Sequence, residues 1–301
     1  MLRATAFLIV ISCDMLLHIF CLVIFAKSSK LRTSRFHKLV LNLSISDTLF
    51  LTEIIIFNRL SSSVSRFDEP FSYACLSLTG VTSGTYMFSL YQCFLVCLER
   101  LNATFLTDRQ SLRRLTSNIG IICGCIACHL VSVLQIVIDV LRFNTHATWC
   151  DIGTTTDFVD IIMRVPVGIL CVLIVVIYTI TLIRIYKKQD NNRAHANDNI
   201  FNLANTTKKA FKTVGLVVLV TLTANVPSCF VGIYSVLIGQ SEDIIRWLYY
   251  CNTLILLNPL LDPIIYVFCI KDFRDQINKI LWRRNAIQPL NNPYAMEMVE
   301  V

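Results

Sequence analysis

The chain has 301 residues, 55% of them hydrophobic and 16% charged, with a formal net charge of +7 and a mean hydropathy of +0.62. A soluble domain carries about 25% charged residues, so this composition excludes an ordinary water-soluble globule and points to a chain solvated by lipid. The positive charge reflects where basic residues sit between apolar runs, which leaves nucleic acid without support as a partner. Most of the 13 cysteines, Cys21, Cys93 and Cys97 among them, lie inside those runs and read as small packing residues.

Residues 4 to 26 form the first apolar run, and about 20 such residues cross a hydrocarbon core of about 30 Å as a helix. The run lacks a small-residue cleavage site and is too long for the core of a signal peptide, so it reads as a membrane span. It starts almost at Met1, which fits either a very short outer terminus or a sequence without its first segment. Six more runs follow at 39–60, 72–98, 115–141, 158–183, 210–238 and 244–270. Within the third, Cys75 to Arg100 holds no charge before Glu99 and rises about 37 Å as a helix.

Basic residues fall on alternate connections: Lys27 to Lys38, then Arg100 to Arg114, then Arg184 to Lys212, then the tail from Lys271 to Arg284. The other connections carry acids, such as Asp68, Glu69, Asp151 and Glu242. The positive-inside rule therefore orients this multi-pass chain, read as a plasma-membrane protein, with its amino terminus outside and its carboxy terminus in the cytosol. On that orientation Cys75, at the outer end of the third span, and Cys150, in the loop after the fourth, share the oxidising face. A disulfide between them would tie the loop over the bundle mouth; two unpaired thiols are the alternative.

Polar groups inside the spans are the sharper signal, because an aspartate at mid-bilayer costs about 2.5 to 3.5 kcal/mol. Asp47 lies in the second span, Ser89 in the third, Asn225 in the sixth, and Asn258 and Asp262 one helical turn apart in the seventh. Together they can build a hydrated pocket that holds a small cation with oxygen ligands, or a hydrogen-bond network that only joins helices, with two acids sharing a proton. Pro166, Pro227 and Pro263 lie within spans and can bend them. After the seventh span, residues 271–283 place Phe273, Ile277, Ile280 and Leu281 at helical spacing, as an amphipathic helix on the inner leaflet does. Residues 284–301 are polar and proline-containing and read as a disordered cytoplasmic tail. The fold class is thus an all-α membrane protein, a seven-transmembrane helix bundle over residues 1–270 with a short amphipathic helix after the seventh span.

The landmarks along these spans carry a resemblance. Asn42-Leu43 with Asp47, Cys75 ahead of Glu99-Arg100-Leu101, Cys150, Pro166, Pro227, and NPLLDPIIY from Asn258 to Tyr266 followed by Lys271-Asp272-Phe273-Arg274 resemble the rhodopsin-like G-protein-coupled receptors in order and spacing over nearly the whole chain. The resemblance implies an extracellular ligand (a peptide, a lipid or a chemosensory small molecule) and a heterotrimeric G protein as partners, with membrane lipids around. It makes Arg100 the coupling switch, held at rest by Glu99, and has Tyr266 turn inward on activation. It likens Asp47, Ser89, Asn258 and Asp262 to the family's allosteric sodium site, with Asn225 in the same polar network.

Several positions depart from the family's pattern. His18 stands where an asparagine is usual, Leu101 for a tyrosine, Asn225 for a tryptophan, and Ile174 for a tyrosine that Tyr178 could replace. Thr207 stands where many relatives have an acid that locks the arginine. The outer half would offer Thr82, Tyr86, Ser228 and Asn252 to a ligand, with Glu53, Arg59 and Arg164 as possible charged contacts. An enzyme has little support, since the five histidines are scattered and no phosphate loop or metal cluster is present. The rival is a transport protein using the Asp47 and Asp262 pocket as an ion path, although no internal repeat is visible.

Overall fold

The computed structural model describes residues 2–63, 69–105, 107, 109–142, 157–193, 198–239 and 241–282. Cys150, the side chain of Thr207 and residues 284–301 lie outside what is described. All regular structure among the described residues is helical: α1 Leu2–Lys27, α2 Ser29–Thr33, α3 Arg35–Ser63, α4 Glu69–Asn102, α5 Gln110–Leu115, α6 Asn118–Arg142, α7 Asp157–Arg193, α8 Asp198–Ile238, α9 Glu242–Leu254, α10 Leu257–Cys269 and α11 Lys271–Trp282. Seven spans are long and apolar enough to cross a membrane; α1, α3, α4, α6, α7 and α8 supply one each, and α9 with α10 supplies the seventh. A backbone in lipid must satisfy its own hydrogen bonds, which is why every crossing is a helix.

The spans sort by polarity. The third, on α4, is among the least apolar and 61% of it is buried, whereas the strongly apolar fourth, on α6, is 22% buried and faces outward. Polar side chains are expensive in hydrocarbon, so the helices that carry them take the middle of the bundle. Accordingly α4 touches α3, α6, α7 and α8.

Gly80 and Gly84 of α4 and Gly124 of α6 line the contact between these two helices. A Cβ at Gly84 would stand 2.8 Å from Ser132 Oγ, and one at Gly124 would stand 2.0 Å from the Tyr91 ring. Only glycine permits that approach, and van der Waals packing of this kind is what associates helices in lipid.

The seventh span departs from the single run expected at 244–270. It breaks at Ile255 and Leu256, where the amides of Ile255, Leu256 and Asn258 bond to carbonyls three residues back, at 3.3, 3.2 and 3.2 Å. Pro259 explains the break, since it lacks an amide proton and its ring collides with the carbonyl four residues earlier. Pro166, Pro227 and Pro263, by contrast, remain inside helices.

At the inner end α11 packs back against the bundle. Phe273 is fully buried and its ring centroid lies 5.3 Å from that of Phe25 on α1. Ile277 and Ile280 pack on the same core, so the apolar face read from the sequence is used partly against protein.

Candidate functional site

The inner half of the bundle holds two sets of buried, hydrogen-bonded polar groups. Ser89 on α4 donates to Asp47 Oδ1 on α3 at 2.5 Å, and Tyr266 donates to Asp262 Oδ2, one turn back on α10, at 3.3 Å. The Asp47 and Asp262 carboxyls are in side-chain contact, and Asp47 Oδ2 and Asp262 Oδ1 have no donor. Two carboxyls in contact cannot both stay charged without help, so either a proton or a cation must lie between them. Thr221 on α8 donates to Asn258 Oδ1 at 2.9 Å, and Asn225 Nδ2 donates to the Thr221 carbonyl at 2.6 Å. Asn225 is thus linked to Asn258 through Thr221, on its own helix.

The first span contributes more than was expected of it. His18 is fully buried; its Nε2 lies 2.8 Å from the Pro259 carbonyl and its Nδ1 3.1 Å from Ser44 Oγ. It thus ties α1 to α3 and to the proline that breaks the seventh span. Asp14, one turn earlier on the same face, is buried too, with Oδ1 4.0 Å from His18 Nε2. An acid four residues before a histidine inside an apolar run is the signal that could have found it.

In the outer half the four candidate pocket residues separate into two groups. Arg164 on α7 reaches across to α8, where Nη1 donates to the Ser228 carbonyl and to Ser228 Oγ, both at 2.8 Å. Ser228 donates onward to Asn252 Oδ1 on α9 at 2.7 Å. Gly232 leaves room for the arginine, since a Cβ there would meet its Cδ and Nε at 2.0 Å. Tyr86 sits near Arg164, with its ring 5.7 Å from Phe50 and its hydroxyl buried without a hydrogen-bond partner. Thr82 instead lies beside Glu53, whose Oε1 accepts from Thr85 at 2.9 Å. Glu53 thus turns to α4.

At the inner end Arg100 is half-buried and its guanidinium carbon lies 3.4 Å from the centroid of the Phe36 ring on α3. Glu99 is engaged elsewhere, with Oε2 accepting from Thr116 at 3.2 Å. No Glu99–Arg100 ion pair within 4.0 Å occurs among the described residues, although the Glu99 charge still acts on Arg100. Phe105, just past α4, has Arg184 of α7 over its ring at 3.9 Å and Arg109 at 4.8 Å. Ile174 is fully buried, while the Tyr178 hydroxyl lies against Gly215 of α8, where an added Cβ would stand 2.2 Å from it.

The sequence profile of the family described as 7 transmembrane receptor (rhodopsin family) matches residues 18–266, most of the chain. The chain belongs to the rhodopsin family of seven-transmembrane receptors. No curated protein was found that matches it. The matched stretch runs from His18 to Tyr266 and so takes in the whole inner network except Asp14. As a rhodopsin-family receptor the protein is a multi-pass membrane protein. The receptor's structure brings Asp47, Ser89, Asn258, Asp262 and Tyr266 together; Thr82 stands apart from Ser228 and Asn252. Cys75 is buried in α4, and its expected partner Cys150 lies outside the described residues. Phe36, Asp14, Ser44, Thr85, Thr116, Phe105 and Thr221 are among the contacting residues that the sequence alone did not single out.

Proposed function

We propose that this receptor binds an extracellular ligand between the outer halves of α4, α7, α8 and α9 and promotes GDP release from a heterotrimeric G protein at its inner face. The observation that carries the reading is the buried chain from Ser89 through Asp47 and Asp262 to Tyr266, which joins α3, α4 and α10 between the outer polar group and Arg100. A polar network at that depth has two arrangements available to it, since one proton or ion more or less alters which oxygens can touch. The amino terminus lies outside and the tail in the cytosol, a reading the basic residues on alternate connections support. Cys75 and Cys150 join to tether the outer loop, Tyr86, Ser228 and Asn252 meet the ligand around Arg164, with Thr82 on the Glu53 side, and α11 lies along the inner leaflet.

The same network supports an allosteric cation. Its donors are hard oxygens, two carboxyls with one unpartnered oxygen each, the Ser89 hydroxyl and the Asn258 amide, the set a sodium ion takes. Asp47 and Asp262 would hold the ion, which would supply the positive charge their contact needs. We expect sodium to change ligand affinity in the wild type and to have no effect in Asp47→Ala. Binding measured with sodium or with N-methylglucamine as the cation tests this, and a wild type indifferent to the exchange removes the ion site.

The function itself is tested with the purified receptor in lipid vesicles. Ligand-dependent loading of guanosine thiotriphosphate onto a panel of G proteins is the expected outcome. Ligand-independent sodium flux through the vesicles, with no nucleotide exchange, would instead establish a transport protein that uses the Asp47 and Asp262 pocket.

A further inference from the structure

We propose that Phe36 is the resting seat of the Arg100 guanidinium, a positioning residue that holds the coupling arginine against α3 until activation. The inference rests on the receptor reading above. Three observations carry it. Arg100 Cζ stands 3.4 Å above the Phe36 ring, well inside the roughly 6 Å over which an aromatic face attracts a cation. The acid next to the arginine is turned to Thr116, and Arg100 Nε is buried with no hydrogen-bond partner. The ring is itself fixed: Phe36 packs on the buried core, edge-on to His37 at 5.5 Å, and His37 Nε2 lies 3.9 Å from Asp272 Oδ2 at the start of α11.

The physical logic follows from the low dielectric at this depth. A guanidinium is planar and weakly hydrated, so it stacks on a ring face more closely than an ammonium does, although the ring attracts either cation. The ring quadrupole offers attraction without a second full charge, and so without an acid that must be desolvated and later neutralised. The contact is short-ranged and breaks as a unit when the inner end of α4 moves away from α3. Arg100 is then delivered with its donors unspent, ready for a partner's carbonyls or carboxylate. Because α11 braces His37, which braces Phe36, a shift of α11 also reaches the seat.

The test uses the full-length receptor in nanodiscs. With 4-fluorophenylalanine at position 36, the fluorine resonance should move in Arg100→Met, which keeps bulk and removes charge, and stay near its original position in Arg100→Lys. Equal movement in both, or none in either, overturns the seat. Phe36→Leu should raise ligand-independent nucleotide exchange about 5- to 30-fold, because a desolvated cation–π contact of up to about 2 kcal/mol no longer opposes release. Phe36→Tyr, which keeps the ring face, should restore the low basal rate, and adding Arg100→Ala to Phe36→Leu should remove the exchange. A basal rate in Phe36→Leu at or below wild type, with equal surface expression, overturns the proposal. If no variant loads any G protein while the resonance still reports the charge, the seat stands and the coupling reading falls.

Discussion

Replacing Arg100 with alanine is expected to bring nucleotide exchange down to the level of membranes without receptor, while surface expression stays at wild type. The two halves of that outcome have separate causes. Expression survives because the side chain's described contact is the stacking on Phe36, worth about 0.5 to 2 kcal/mol, against a total stability of about 5 to 15 kcal/mol. Coupling is lost because no other side chain on the inner half of α4 offers a planar fork of donors at that position, and Lys could not replace it. Epitope labelling of intact cells beside an exchange assay on their membranes separates the effects. Undiminished exchange would take the switch role away from Arg100.

Replacing His18 with leucine is expected to produce the largest loss of stability of any single change in the first span. The histidine's two ring nitrogens meet the Pro259 carbonyl at 2.8 Å and Ser44 Oγ at 3.1 Å, and Asp14 lies 4.0 Å away. Leucine fills the volume and satisfies none of them. Each buried group left without its partner costs about 1 to 3 kcal/mol. The receptor in detergent should therefore unfold several degrees earlier. A melting temperature equal to wild type in His18→Leu would show that the first span is not pinned to the broken seventh.

The bundle was legible because each span is an apolar run bounded by charges, a signal that needs no tertiary information. Asp47, Ser89, Asn258 and Asp262 were legible for a related reason: depth along a helix of known rise places such residues at one level, and lipid leaves them nowhere to point but inward. What escaped depends on the angle between helices. The seat of Arg100 joins positions 64 residues apart through the close approach of α3 and α4, and nothing local to Phe36 announces it. Glu99 turns to Thr116 because the short helix α5 happens to end there. Thr82 and Ser228 lie at comparable depths, yet they face different neighbours, which only the rotation of α4 decides. The break before Pro259 was readable in principle, since a proline there must disturb the carbonyl four residues back, but the run of leucines around it masked the point as one continuous span.

The glycine-lined contact between α4 and α6 has a mechanical consequence. An added methyl at Gly84 or Gly124 would collide with Ser132 or Tyr91, so a larger residue at either position would wedge α4 and α6 apart. The seventh span, by contrast, is divided at Ile255 and Leu256 into two separate rods.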